Sequence, residues 1–246
     1  MESVTKINND IYHSYGDRWY NAYDDPIALL RAENEVKLPW IFERISREYP
    51  DGCEVLDVGC GAGFLCNELA ARGLNVSGID IAEDSLEVAR NHDETDSVNY
   101  FQGDAYNLPF HDESFDVVTN LDFLEHVDHP EDIIKECARV LKPGGLFFFH
   151  TFNRNLISHA LVIKAVELLV KNTPKDMHVI DLFIKPSELK DYCTIAGIEV
   201  LEMTGIRPKI RSVPLKNLFT GIVPESMEFT LTKSLKLSYM GVGRKI

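Results

Sequence analysis

Val55-Leu-Asp-Val-Gly-Cys-Gly-Ala-Gly63 is the stretch that decides the fold class. Three apolar residues flank an acid and run straight into a glycine-rich turn. Phe64, Leu65, Leu69 and Ala70 then follow at helical spacing up to Gly73. A strand therefore feeds a helix through a turn whose glycines carry no Cβ, and a ligand can approach such a backbone closely. The spacing Gly59-x-Gly61-x-Gly63 is not the G-x-G-x-x-G of dinucleotide-binding loops, whose longer turn receives a pyrophosphate. This one suits a ligand without phosphate at that point. Read more plainly, it is a tight strand-to-helix connection.

Outward from this unit, Asn75–Ile79, Val98–Gln102, Asp116–Asn120 and Leu146–Thr151 read as strands, and Ser85–Asn91 and Glu131–Leu141 as helices. Lys142-Pro-Gly-Gly is a turn by composition. Further on, Lys185–Ala196 reads as a helix, Ile198–Met203 as a strand, and Leu235–Gly241 as a last strand turning back antiparallel. Strands alternating with helices predict an α/β protein with a Rossmann-like, mostly parallel sheet of seven strands and helices on both faces. Before the first strand, Leu38, Ile41, Phe42 and Ile45 mark a helix over 36–48, and residues 1–48 together read as an N-terminal helical arm. Residues 156–183 interrupt the rhythm. Their centre, Leu156–Val170, is apolar and too long for a strand-to-helix loop, so it reads as an inserted helix or helical pair and a candidate lid. The whole chain, 1–246, reads as a single domain.

Composition bounds the partners. Apolar residues make up 45% and charged residues 26%, as in ordinary soluble domains. The formal charge of −14 argues against nucleic acid, whose binders carry a basic face. No apolar run approaches the ~20 residues of a membrane span, and the start MESVTKINND does not read as a secretory signal, so a cytoplasmic protein is expected. The five cysteines, Cys53, Cys60, Cys66, Cys137 and Cys193, form no CxxC pair and read as free, buried thiols.

Acids recur at the carboxyl ends of consecutive strands, where open α/β sheets bind their ligands. Asp57, before the glycine turn, can reach the amino-acid part of a cofactor. Asp80, in Ser77-Gly-Ile-Asp80, can accept both hydroxyls of a ribose, with Ile81 beside it. The alternative for Asp80 is a helix cap, but Asp84 is better placed for that. Asp104 could accept from an adenine amino group and the Ala105 N–H could reach a ring nitrogen, or Asp104 is a solvated loop acid. After the fourth strand come Leu121 and then Asp122, Glu125 and His126, which share one face of a helical turn. Two carboxylates and an imidazole there could hold a hard divalent cation such as Mg2+, which would acidify a bound hydroxyl. Otherwise His126 packs or acts as a base. His150, ending the fifth strand, either faces a substrate or packs.

In this order, Asp57-Val-Gly-Cys-Gly-Ala-Gly63, Gly78-Ile-Asp80, Gly103-Asp-Ala-Tyr-Asn-Leu-Pro-Phe110, Leu124-Glu-His-Val127 and Leu141-Lys-Pro-Gly-Gly145 resemble class I methyltransferases over roughly residues 50–151. Asp122-Phe-Leu-Glu-His-Val127, Thr151-Phe-Asn-Arg-Asn155, Thr173-Pro-Lys175 and Phe183-Ile-Lys-Pro-Ser-Glu-Leu189 are similar to the ubiquinone-biosynthesis O-methyltransferase family. That resemblance implies S-adenosylmethionine held by Asp57, Gly59, Gly61, Asp80, Ile81, Asp104, Ala105 and Leu121. It adds Lys37, which falls near a cofactor-holding arginine of the family. It further implies Mg2+ at Asp122, Glu125 and His126, with Asp122 in place of a Glu, and catalysis by His126 and Glu125. The expected substrate is a hydrophobic catechol or phenol such as a polyprenylated ubiquinone precursor. The insert would then cover a greasy tail and touch a membrane surface peripherally, with Lys164, Lys171 and Lys175 towards anionic headgroups. Methylation of another small molecule, or cofactor binding without catalysis in a biosynthetic complex, are the alternatives. Arg18-Trp19-Tyr20 is the part of the arm that matches the family, and residues 207–233 have no counterpart in it.

Overall fold

The computed structural model describes Asn9 and residues 15–246, with Leu218 in its backbone only, so part of the expected arm over 1–48 lies outside the described residues. Eight strands form one sheet in the order β3-β2-β1-β4-β5-β8-β6-β7. They are β1 Glu54–Val58, β2 Asn75–Asp80, β3 Asn99–Gln102, β4 Phe115–Leu121, β5 Leu141–Phe152, β6 Ile198–Pro208, β7 Phe229–Thr232 and β8 Ser238–Lys245. The first five are parallel, β8 runs antiparallel between β5 and β6, and β7 pairs antiparallel with β6. The eighth strand is β7. Its four residues, Phe-Thr-Leu-Thr, are too few to show a period in sequence, and β6 supplies the pairing edge that makes them a strand.

The central strands explain why the alternation gave the right architecture. Val55, Leu56, Val58, Val117 and Val118 are fully buried, because helices cover both faces of the sheet. Helices α1 Arg18–Asn21 and α2 Ile27–Glu48 precede the sheet. Helices α3 Phe64–Ala71, α4 Glu83–Asn91 and α5 Pro130–Val140 connect its strands. Lys142-Pro-Gly-Gly does not end a strand. The register passes from Phe115↔Leu141 to Val117↔Leu146, so the four residues bulge out of a continuous β5. α4 starts at Glu83 with Ala82 at its N-cap, which puts Asp84 inside the first turn and not at the cap.

The insert is helical from Leu156 to Leu169, with a π-helical segment at His159–Lys164. Asn155 caps it, accepting from the Ile157 and Ser158 amides. Val162 and Ile163 pack on Phe183, while Leu156 and Leu168 stay more than four-fifths exposed. One face of the insert is therefore bound to the domain and the other has no protein to cover it among the described residues. Segment 209–222, with a short helix Asn217–Thr220, lies beside the insert's end, where Lys171 N donates to Gly221 O at 2.9 Å.

Candidate active site

The glycine turn forms as its composition requires. Gly59, Gly61 and Gly63 all have left-handed φ, at 76°, 51° and 77°. A Cβ on Gly59 would stand 2.4 Å from the Phe123 ring, and one on Gly63 would stand 2.2 Å from the Tyr100 hydroxyl. The first glycine thus keeps the turn open beside β4, and the last lets α3 pack against β3. Asp80 ties the turn to β2: its carboxylate accepts from Gly61 N at 2.8 Å and Ala82 N at 2.9 Å. Asp57 is buried behind the turn and accepts from Thr119 Oγ1 at 2.6 Å. Burial pushes its carboxyl up to about 6.

A cleft of about 730 Å3 opens over these strand ends. Asp57, Gly59, Gly61, Asp80, Ile81 and Leu121 all line it. A turn without side chains, beside a carboxylate able to accept two hydroxyls, fits the nucleoside and amino-acid parts of S-adenosylmethionine. Asp104 and Ala105 are not among the described residues on this wall. Asp104 is exposed and accepts from the amide of Tyr106, two residues on. Lys37 is not on the wall either. It is fully buried, pairs with Asp122 and lies 3.8 Å from Glu33 Oε2. An ammonium withdrawn from water needs anions, and α2 carries it to two of them.

The expected trio of Asp122, Glu125 and His126 is divided. Asp122 has positive φ, 53°, which turns it off the strand towards Lys37 and His150. Burial opposes its charge, but Lys37 and His150 together outweigh that and hold the carboxyl below its usual range. Glu125 and His126 sit one step further, on a single 3-10 turn at Leu124–His126. Glu125 Oε2 accepts from Thr151 Oγ1 at 2.8 Å, and burial, aided by the charge of Asp122, pushes the carboxyl up to about 7. His126 faces His178, ring centroids 5.2 Å apart, and burial pushes the two imidazoles down to about 3 and about 4. Asn9 Nδ2 donates to His126 O at 3.0 Å, which brings the N-terminal arm to the site. Glu33 and His178 were not anticipated. Glu33 looks like any polar residue of a half-exposed helix, and His178 stands in a loop with no period. Only its position before the quoted Phe183-Ile-Lys-Pro run was a signal.

The rest of the cleft is greasy. Leu161, Val162 and Leu169 of the insert line it together with Ile210, Val213 and Ile222. The cleft thus continues from the glycine turn, past Glu125, His126 and His178, to an apolar wall.

Known proteins give this arrangement its family. Residues 56–149 match the model of the methyltransferase domain. The chain is 37% identical over 214 residues to the ubiquinone biosynthesis O-methyltransferase of Actinobacillus pleuropneumoniae, covering 83% of this chain and 89% of that protein. It is 39% identical over 209 residues to that of Pseudomonas entomophila, covering 84% and 88%. The chain belongs to the ubiquinone biosynthesis O-methyltransferase family. It is an S-adenosylmethionine-dependent methyltransferase. Among solved structures, magnesium protoporphyrin IX methyltransferase from Synechocystis, with bound SAH, matches with a TM-score of 0.66 at 18% identity over 96% of this chain and 97% of that one. At that identity the likeness concerns the fold alone. No helix among the described residues is long and apolar enough to cross a membrane.

Proposed function

We propose that this enzyme O-methylates a phenolic hydroxyl of the catechol type on a ring with a long apolar tail, as the name of its relatives suggests. The observation that carries this reading is the continuity of the cleft, from Gly59 and Asp80 past Glu125 and His126 to the greasy wall of Leu161, Leu169 and Ile222. S-adenosylmethionine supplies a methyl group already activated on a sulfonium, so the protein is left to position the reactants and to take a proton. The phenolic oxygen takes the methyl carbon as the C–S bond breaks and the sulfur leaves as a neutral thioether. Glu125 is the better acceptor for the phenolic proton. A carboxyl near 7 matches the working pH, whereas an imidazole near 3 accepts weakly. His126 then orients the hydroxyl. The assay is methyl transfer to catechols with and without a polyprenyl tail, and a chain that methylates neither would overturn the reading.

The same reading includes a lipid surface as the source of the substrate. Leu156, Leu168, Ile210, Leu215 and Phe219 are each more than three-quarters exposed on two neighbouring segments. Residues 209–222 contain Lys209, Arg211 and Lys216 and no acid, on a chain of net charge −14. Apolar side chains fringed by lysine and arginine suit anionic lipid. Of these, Ile210 also lines the cleft that would receive the tail.

A further inference from the structure

Two aromatic rings lie against the glycine turn. Asp122, at φ 53°, turns the chain off the end of β4, and Phe123 follows it. The Phe123 ring packs on Gly59, where a Cβ would stand 2.5 Å from its Cγ. Trp19, from the N-terminal arm, lies beside Gly61, 3.4 Å from the place of a Cβ. Both rings line the cleft. Phe123 also opens the next turn, because its carbonyl accepts from His126 N at 2.9 Å. One half-buried ring therefore stands between the glycine turn and the turn that carries Glu125 and His126. The walls around it carry charge of one sign. Glu33, Asp57, Asp80, Asp122 and Glu125 line the cleft, and among the described residues no lysine or arginine does. Lys37 and His150, which are engaged with Glu33 and Asp122, do not reach the lining.

We propose that the Phe123 ring lies against the sulfonium of S-adenosylmethionine and, with the acids of the cleft, makes the site favour the methyl donor over its demethylated product. The donor carries a sulfonium, an ammonium and a carboxylate, so it is a net cation. Transfer of the methyl group leaves a neutral thioether on an otherwise identical molecule. The sulfonium joins the ribose part, which Asp80 fits, to the amino-acid part, which Asp57 fits, and its methyl group has to meet the acceptor beside Glu125 and His126. Phe123 is the residue that touches both turns. An aromatic face is negative and attracts a cation, more strongly where water is excluded. An acid-lined cleft adds to that attraction. The thioether loses both attractions and keeps the packing, so the spent cofactor is held less firmly than the fresh one. A leucine or methionine in place of Phe123 keeps the packing for both ligands and gives up the ring's attraction for one. The inference concerns the cofactor and not the phenol, so it is decided without a substrate.

Calorimetric titration of the full chain with S-adenosylmethionine and, separately, with S-adenosylhomocysteine tests this. The wild type should bind the methyl donor more tightly than the product. Phe123→Leu should weaken binding of the donor by about 5–30-fold, the range of a cation–ring contact partly to fully withdrawn from water, and leave binding of the product nearly unchanged. Phe123→Tyr, which keeps a ring, should keep the wild-type ratio of the two affinities. The melting temperature is the fold control, and Phe123→Met takes the place of a leucine variant that fails it. A ring that merely packs would, when replaced, weaken both ligands alike. Equal weakening of donor and product in the leucine or methionine variant therefore overturns the proposal. A wild type that holds the product more tightly than the donor overturns it as well, and needs no variant.

Discussion

His150 Nδ1 stands 2.6 Å from Asp122 Oδ1, and its Nε2 stands 3.4 Å from Glu33 Oε1, so one buried imidazole bridges two carboxylates. With Lys37 the set holds two negative and two positive charges when His150 is protonated, and its Glu33 and Asp122 line the cleft. A group of four buried charges is tolerable only while it is neutral and fully paired. A protonated His150 supplies the second positive charge that balances the two carboxylates.

His150 should therefore give the protein a stability that alkali removes. Burial opposes its charge, but Asp122 and Glu33 outweigh burial and lift it to about 9. A raised imidazole contributes its full stabilisation below the unfolded value near 6.5 and loses it as pH rises through about 9. The shift corresponds to roughly 3 kcal/mol. Urea unfolding between pH 6.5 and 9.5 should show wild type losing stability relative to His150→Gln, and the gap should narrow by about that amount. Parallel profiles for the two proteins would refute the assignment.

Asp57 has the opposite sign. Its carboxyl is raised to about 6 in the fold by burial, so the folded state holds its proton more tightly than the unfolded chain does. Ionising it destabilises the protein progressively from near pH 4 to near pH 6, by up to about 3 kcal/mol, with the full penalty above that. Asp57→Asn keeps an acceptor for Thr119 Oγ1 and should be more stable than wild type at pH 8 and no more stable at pH 4. Because Asp57 lines the cleft, the variant should also bind S-adenosylmethionine more weakly. Paired denaturation curves and calorimetry at both pH values check this; a stability gain that does not depend on pH would rule out the ionisation of Asp57 as its cause.

What could be read from the chain and what could not divide along a physical line. The glycine turn, the place of Asp80 at the end of β2 and the five parallel strands are legible because each follows from local chemistry: period, burial on both faces, and a backbone that needs left-handed φ at Gly59. Lys37 was assigned from its place in the chain, and the fold instead sends it inward to Asp122, a partner 85 positions away. No local pattern encodes such a pairing. The grouping of Asp122, Glu125 and His126 assumes a regular helix, whereas Asp122 has positive φ and pairs with Lys37, and Glu125 and His126 sit on a single 3-10 turn. His178 reaches His126 from a loop beyond the insert. β7 exists only because β6 offers it an edge.

Asp80 carries a prediction for the cofactor. Its carboxylate braces the glycine turn through Gly61 N and faces the cleft, where it can accept from ribose hydroxyls. Hydrogen bonds to a charged acceptor contribute ~1.5–3 kcal/mol each. Asp80→Ala should weaken S-adenosylmethionine binding by tenfold or more in calorimetry, and Asp80→Asn, which keeps one acceptor for Gly61 N, by less. Unchanged affinity in the alanine variant would remove Asp80 from the cofactor site.

The insert and segment 209–222 should act together on lipid. Val223 N donates to Tyr23 O at 2.7 Å, Asn172 Nδ2 donates to Asp24 at 2.9 Å, and Lys171 N donates to Gly221 O, so the insert, segment 209–222 and the arm are clasped at one point. On the same segments, outside the cleft lining, Leu168 and Phe219 are 82% and 89% exposed. Leu161 and Leu169 face the channel instead. Replacing the outer pair, Leu168→Glu with Phe219→Glu, should cut co-sedimentation with vesicles containing phosphatidylglycerol and leave the melting temperature and the kinetics on a short-chain catechol unchanged. Replacing the inner pair, Leu161→Ser with Leu169→Ser, should raise KM for a long-tailed substrate more than for a short one, because binding common to ground and transition states is what is lost. Lipid binding by such side chains is modest and reversible, so the sedimentation assay should also weaken at high salt. Undiminished sedimentation of the outer variant would show that this face does not meet the lipid. Equal effects of the inner variant on both substrates would show that the wall is packing rather than a tail channel.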